Sequence, residues 1–184
     1  MAALPPGIRI RPEVAADAPA IGRLHDAAFD DPQVAPLVEA IRESVWYLPD
    51  LALVADLPAE PGSPIVGHVM VSGMELATDD EQRIPILMLS PLGVLPGHQR
   101  RGIGLALSRA VLALADARPE PLVVVQGHPT YYPRLGFVRG RTIGILPPEH
   151  LGAIDQAWMV RRRPGASQAI HGLVVYPQAF LDLD

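Results

Sequence analysis

Gln99-Arg100-Arg101-Gly102-Ile103-Gly104 joins an apolar segment to one with helical periodicity. Gly102 and Gly104 let the backbone come close to a bulky anion. A helix that starts here offers unpaired N–H groups and the positive end of its dipole. Arg100 and Arg101 add charge beside them, so the stretch has the chemistry of a diphosphate site. Gly97 and Gly102 have the spacing of a P-loop, but Ile103-Gly104 stands where that loop needs Lys and Ser/Thr. No γ-phosphate clamp or Mg²⁺ ligand is then available. Gly102-Ile103-Gly104 also opens a dinucleotide fingerprint, and a nucleotide-binding oxidoreductase is one rival. Leu107 occupies the third glycine position, the feeding strand carries prolines, and no acidic residue closes a second strand about 20 residues on. A plainer alternative is that both glycines only permit close helix–sheet packing.

The elements extend outward from this loop. Upstream, Ile84 to Leu95 is apolar but holds Pro85, Pro91 and Gly93, which predicts an irregular strand with a bulge near Pro91-Leu92-Gly93. Downstream, Ile103, Leu107, Ala110, Val111 and Leu114 make one helical face to about Asp116. Leu122 to Val125 reads as a buried strand. Pro129 to Leu135 is a short helix ended by Gly136, with Phe137-Val138 restarting a strand. Ala157 to Val160 and Gly172 to Tyr176 are late strands. Toward the N-terminus, Gly7 to Arg11 alternates like a strand. A helix follows over Ala18 to Ala28, with Asp17 as N-cap and Ile21, Leu24 and Ala28 as its stripe. Leu37, Ile41 and Val45 predict a second helix over Pro36 to Trp46. Leu51 to Ala55 and Ile65 to Leu76 form a hairpin across a turn at Pro58 to Pro64.

Composition bounds the rest. The 184 residues suit one domain, 1–184. Hydrophobic content of 49% against 19% charged supports a real core. A net charge of -5 argues against a nucleic-acid binder, and Arg161-Arg162-Arg163 fits a solvated strand end. The chain has no cysteine, which excludes thiol nucleophiles and thiolate metal sites. The six histidines, His25, His68, His98, His128, His150 and His171, have no i, i+4 pair, so no metal is expected. No apolar run approaches the ~20 residues of a membrane span, and Met1 to Arg11 lacks the pattern of a signal peptide. A soluble cytoplasmic protein, monomer or homodimer, is expected.

The loop Gln99 to Gly104 resembles the Gln/Arg-x-x-Gly-x-Gly/Ala loop of the GNAT superfamily of N-acetyltransferases. Tyr132-Pro133-Arg134-Leu135-Gly136-Phe137 resembles that family's Tyr-x-x-x-Gly-Phe segment. The order of elements agrees over about Ile8 to Val160. Gly127-His128-Pro129 before Tyr131-Tyr132, with the Tyr176-Pro177 and Phe180 ending, is similar to the YhbS-like branch. The resemblance implies a mixed α/β fold with a central, mostly antiparallel, V-splayed sheet flanked by helices. It implies acetyl-CoA as co-substrate and a small-molecule or peptide amine as acceptor. Leu92, Gly93 and Val94 would bond the pantetheine arm through backbone groups, and Arg100, Arg101, Gly102, Ile103, Gly104 and Leu105 would form the pyrophosphate nest. A bulge exposes backbone donors and acceptors of the kind pantetheine amides need.

Acetyl transfer to an amine sets three tasks: deprotonating the amine, holding the oxyanion and protonating the leaving thiolate. A lysine-like amine of pKa ~10.4 costs about 4–5 kcal/mol to present neutral at pH 7. An α-amine near pKa ~8 costs about 1–1.5 kcal/mol. A backbone N–H near Gly93 or Val94 suits the oxyanion. Tyr132 is the expected general acid, against the alternative that it only packs under a helix. Glu75 is the first choice of base, with His128 and Ser90 as other candidates. Trp46, Tyr47 and Trp158 are candidates to line the acceptor pocket. The alternative to an enzyme is an acyl-CoA-binding or sensing module on the same fold.

Overall fold

The computed structural model describes residues 4–58, 64–148, 154–177 and 181. Most of the expected turn at Pro58 to Pro64, together with His150 and the Phe180 ending, lies outside them. The chain runs β1 (Arg9–Pro12), α1 (Ala18–Ala28), α2 (Val34–Glu43), β2 (Ala52–Asp56), β3 (Ile65–Ala77), β4 (Arg83–Val94), α3 (Ile103–Asp116), β5 (Leu122–Gln126), β6 (Val138–Arg139), β7 (Ile145–Leu146), β8 (Trp158–Arg162) and β9 (Gly172–Val175).

One mostly antiparallel sheet has the order β1-β2-β3-β4-β5-β8-β6. β9 joins the far end of β3 and carries β7 on its other edge. The period-two alternation of β2 divides the core. Ala52 and Val54 face Ile21 and Leu24 of α1 and Val38 and Ile41 of α2. Leu53 and Ala55 face Ile103, Leu107 and Val111 of α3. The sheet is thus covered on both faces at this end, as near-continuous apolar strands require. A third apolar cluster around Trp158, Leu76 and Val174 fills the other end. Among the described residues no helix is long and apolar enough to cross a membrane.

Two local expectations are corrected. Asp17 precedes α1 but makes no side-chain cap. Its carboxylate accepts the Arg11 guanidinium at 2.7 and 2.9 Å and the Val14 N–H at 2.9 Å. α2 ends at Glu43, not Trp46, because Ser44 turns extended and its hydroxyl donates back to the Ile41 carbonyl at 2.8 Å. Val45 then falls outside the helix, 92% exposed rather than in the apolar stripe.

The splay lies between β4 and β5. This parallel pair is in register only at Leu87–Val123 and Met88–Val124. β4 then bulges, since Val69 pairs with Leu92 and Val71 with Leu89, two steps of β3 against three of β4. Ser90 and Pro91 occupy the extra step, where a residue without an N–H is tolerated.

Candidate active site

The bulge decides which backbone groups face the gap. Downstream of it the Leu95 N–H donates to the Val66 carbonyl at 3.0 Å. Antiparallel pairing alternates, so the polar groups of Gly93, the register partner of His68, turn toward β3. Those of Leu92 and Val94 turn the other way, where β5 has departed. The Gln99 amide donates to the Val94 carbonyl at 3.1 Å. The other outward groups of Leu92 and Val94 face open space. Gly93 does not share in this. An added Cβ there would sit 2.8 Å from both His25 Nδ1 and Leu24 Cδ2, so Gly93 lets α1 close on the opposite face.

The loop after β4 is wound by two left-handed residues, Arg100 (φ 59) and Gly102 (φ 86). Gly102 is the N-cap of α3 and supplies no side-chain cap. The first helical bond runs from the Ala106 N–H to the Gly102 carbonyl at 3.0 Å. The N–H groups of Ile103, Gly104 and Leu105 precede it and have no intrahelical acceptor. They edge a cavity of about 900 Å³ whose wall includes Val94, Arg100, Gly104 and Arg134. A Cβ on Gly104 would meet nothing nearer than the Tyr131 hydroxyl at 3.5 Å. A cavity with converging N–H groups, a helix dipole and guanidinium groups suits a polyphosphate. Arg101 is exposed and does not line it.

Leu92, His128 and Tyr131 are shared with a second cavity of about 360 Å³, which also reaches Ser90, Gln126 and Tyr132. Tyr132 opens a short turn that ends at left-handed Gly136 (φ 86). Its ring is held edge-on by Tyr131 at 4.9 Å and Phe137 at 5.4 Å between centroids. It lies flat against the end of β5, where a Cβ on Gly127 would come within 2.2 Å of its Cε2. Burial, with a smaller push from Tyr131, raises the Tyr132 hydroxyl above the ordinary phenol range. It therefore keeps its proton throughout neutral pH. His128 Nδ1 is 3.0 Å from the Thr130 hydroxyl and accepts the Thr130 N–H at 3.4 Å. The neutral ring then carries its proton on Nε2.

A third cavity of about 590 Å³ continues from the second through Phe29, Leu37, Ser90 and Gln126, and extends to Met88 and Tyr176. The three cavities make one groove from the Arg100 loop, past Tyr132, to the α1–α2 junction.

Several candidates are elsewhere. Glu75 does not reach the groove. It lies on the part of β3 that pairs with β9, and its carboxylate is 3.9 Å from the Arg83 guanidinium. Trp46 packs on Gly73, and Trp158 is buried with its indole N–H on the Ile145 carbonyl at 3.2 Å. Tyr47 donates to Glu13 Oε1 at 2.7 Å. Ser90 and His128 do line the groove.

Glu13 belongs to a buried chain that the sequence does not announce. Arg42 grips its carboxylate with two bonds of 2.9 Å, and His68 Nε2 lies 2.9 Å from Oε2. His68 Nδ1 in turn meets His25 Nε2 at 2.8 Å. Burial alone would raise the Glu13 carboxyl, but the bonds from Arg42, His68 and Tyr47 outweigh it and hold the group well below the usual carboxylate range. His68 thus donates to Glu13 and accepts from His25, so the His25 Nδ1 lone pair is buried without a donor. Burial, then the neighbouring His68 and Arg42, pushes His25 down to about 3. The chain ties α1 and α2 to β3 behind the groove.

Comparison with known proteins agrees with this architecture. Residues 9–140 match a family model described as an acetyltransferase (GNAT) domain. Over 122 residues the chain is 32% identical to the uncharacterized N-acetyltransferase YjhQ of Escherichia coli strain K12, covering 66% of this chain and 64% of that one. The matched stretch therefore spans just under two thirds of that relative. The crystal structure of the GNAT family N-acetyltransferase YhbS from Escherichia coli, in complex with CoA, superposes with a TM-score of 0.82 at 24% identity, covering 95% of this chain and 92% of that one. A GNAT family acetyltransferase from Brucella melitensis, in complex with acetyl-CoA, superposes at 0.72 with 24% identity, covering 94% and 97% of the two chains. Fold, loop and family model agree: this chain belongs to the GNAT acetyltransferase family.

Proposed function

We propose that the protein is an acetyl-CoA-dependent N-acetyltransferase that moves an acetyl group directly to a primary amine in a ternary complex. One observation carries this: the outward backbone groups of Leu92 and Val94 border a gap that runs from the unpaired N–H groups of α3 to the buried Tyr132. The gap supplies what a diphosphate, a diamide arm and a thioester need in sequence. The CoA and acetyl-CoA held by the two structural neighbours support the same donor.

The amine attacks the thioester carbonyl carbon, and the C–O π pair moves onto oxygen. A backbone N–H of Leu92 or Val94 stabilises that oxyanion. Collapse re-forms the carbonyl, breaks the C–S bond and sends its electron pair to sulfur, which receives a proton from Tyr132. The proton lost by the nitrogen restores the phenol through solvent. Glu75 has no part in this, and Ser90, Gln126 and His128 are polar side chains placed to orient the amine. Arg100, Gly102, Ile103, Gly104 and Leu105 hold the pyrophosphate, with Arg101 contributing its backbone and long-range charge. The whole chain acts as one cytoplasmic domain, without a metal.

Tyr132→Phe tests the assignment, since it keeps the ring contacts and removes only the hydroxyl. Turnover falls by about 10²–10⁴-fold, and acetyl-CoA affinity by calorimetry stays within about twofold. A rate unchanged across pH removes Tyr132 as the acid. Tight acetyl-CoA binding with no amine acetylated favours the sensing module instead.

A further inference from the structure

The two ends of the groove differ in charge. The chain contains no lysine, and its fifteen cationic side chains are all arginines within the described residues. Arg100 and Arg134 stand at the donor end. No arginine lines the second or third cavity, so the acceptor end has no guanidinium to receive a carboxylate or phosphate. The one carboxylate there among the described residues is Asp31, at the α1–α2 junction. Its Oδ1 accepts the Gln33 N–H at 2.9 Å, and nothing among the described residues bonds Oδ2.

Apart from Gln33, Ser90 and Gln126, the rest of the wall is mainly apolar. Phe29, Leu37, Met88 and Tyr176 surround the volume of about 590 Å³. Burial raises the Tyr176 hydroxyl above its ordinary range, so Tyr176 brings no negative charge. Ser90 and Gln126 are shared by this cavity and the one beside Tyr132, and mark the passage to the reacting end. An anionic group placed here would lose its water without gaining a guanidinium partner, and would face Asp31. A sugar-like body would set its hydroxyls against the faces of Phe29, Leu37 and Met88, which cannot bond them.

We infer that the acceptor is a primary amine with an aromatic or branched aliphatic body and no acidic group, seated between Phe29, Leu37, Met88 and Tyr176. This rests on the acetyltransferase assignment for the reaction, but the pocket preference can be measured without turnover.

The test uses the protein saturated with CoA, which binds an amine without reacting. Calorimetry compares 2-phenylethylamine, L-phenylalanine and glucosamine. The first should bind at least about tenfold more tightly than the other two. Asp31 is exposed, so Asp31→Arg should fold normally and narrow the gap between 2-phenylethylamine and L-phenylalanine by about tenfold. Equal binding of either competitor, or no binding of 2-phenylethylamine, overturns the inference. With acetyl-CoA in place of CoA, thiol release is then followed. If 2-phenylethylamine is preferred in binding but never acetylated, the pocket assignment stands and the transferase assignment falls. If L-phenylalanine or glucosamine is acetylated as efficiently, the transferase assignment stands and the pocket assignment falls.

Discussion

Gly127→Ala should disable the protein by moving one ring. The new Cβ would lie 2.2 Å from Tyr132 Cε2, 2.9 Å from Cδ2 and 3.1 Å from Cζ. An ordinary carbon contact is about 3.5 Å, so the methyl and the 2.2 Å atom must separate by roughly 1.3 Å. The ring cannot simply swing away, because Tyr131 and Phe137 hold its two edges. The end of β5 cannot easily retreat, because the Gly127 N–H is bonded to the Ala157 carbonyl at 2.9 Å. Overpacking of this kind costs about 1–3 kcal/mol. A catalytic group displaced by about 1 Å costs about 10²-fold in rate. Turnover is followed by colorimetric detection of the CoA thiol, to which a protein without cysteine adds no background. Urea unfolding gives the stability term in a double-mutant cycle with Tyr132→Ala. With the ring gone, Gly127→Ala should cost almost nothing, so the coupling should equal nearly the whole single-mutant loss. Parental turnover and stability in Gly127→Ala would refute the argument, as would an undiminished cost in the Tyr132→Ala background.

Other substitutions in the groove separate backbone demand from simple crowding. Gly102→Glu places a side chain at φ 86 and a negative charge beside the α3 amides, and acetyl-CoA binding should vanish in calorimetry; retained micromolar binding sinks the loop assignment. Gly104→Ala meets only ordinary contacts of 3.5 Å or more, so its melting temperature and acetyl-CoA affinity should match the parent, and a large loss would mean the loop is tighter than described. His25 makes stability depend on pH. Its folded pKa is pushed down to about 3 from an unfolded value of ~6.5. The stabilisation is complete above ~6.5, and about 2 kcal/mol is lost by pH 5, where the unfolded chain gains a proton that the folded chain refuses. Urea midpoints at pH 7 and 5 measure this, His25→Asn should flatten the difference, and an already flat parental profile would contradict the buried neutral histidine.

The sequence announces those features whose cause is local. α1 runs Ala18–Ala28 and α3 begins at Ile103 and ends at Asp116, all as the periodicity predicts. The glycines at 102 and 136 are legible because each serves a left-handed turn at its own position. Gly127 is not, because its requirement comes from a ring five residues later. Glu75 lies near the end of the expected strand Ile65 to Leu76, but β3 runs on to Ala77 and that end is paired with β9. Nothing in strand periodicity says where a neighbouring strand parts. The Glu13–His68–His25 chain is equally hidden, since His25 and His68 lie 43 residues apart and meet only when α1 packs on β3. The aromatic residues near Trp46 invite a pocket role, yet Tyr47 goes to Glu13 and Trp46 to Gly73. The apolar residues that do line the groove, Phe29 and Leu37, look like ordinary helix stripe.

The parting of β4 from β5 leaves the protein with an internal sheet edge. Exposed edges offer a template for pairing with any extended chain, and this one is short, flanked by the Ser90-Pro91 bulge and capped by Gln99 on the Val94 carbonyl. Those features blunt it against the wrong partner while leaving room for a slender diamide. If the donor sits there as proposed, it would behave as a missing strand, and its loading would be part of completing the fold. At a concentration of 100 times its dissociation constant it would add about 2.7 kcal/mol to folding stability. The unloaded protein should accordingly be the form most prone to aggregate, and purification in the presence of CoA the simplest remedy.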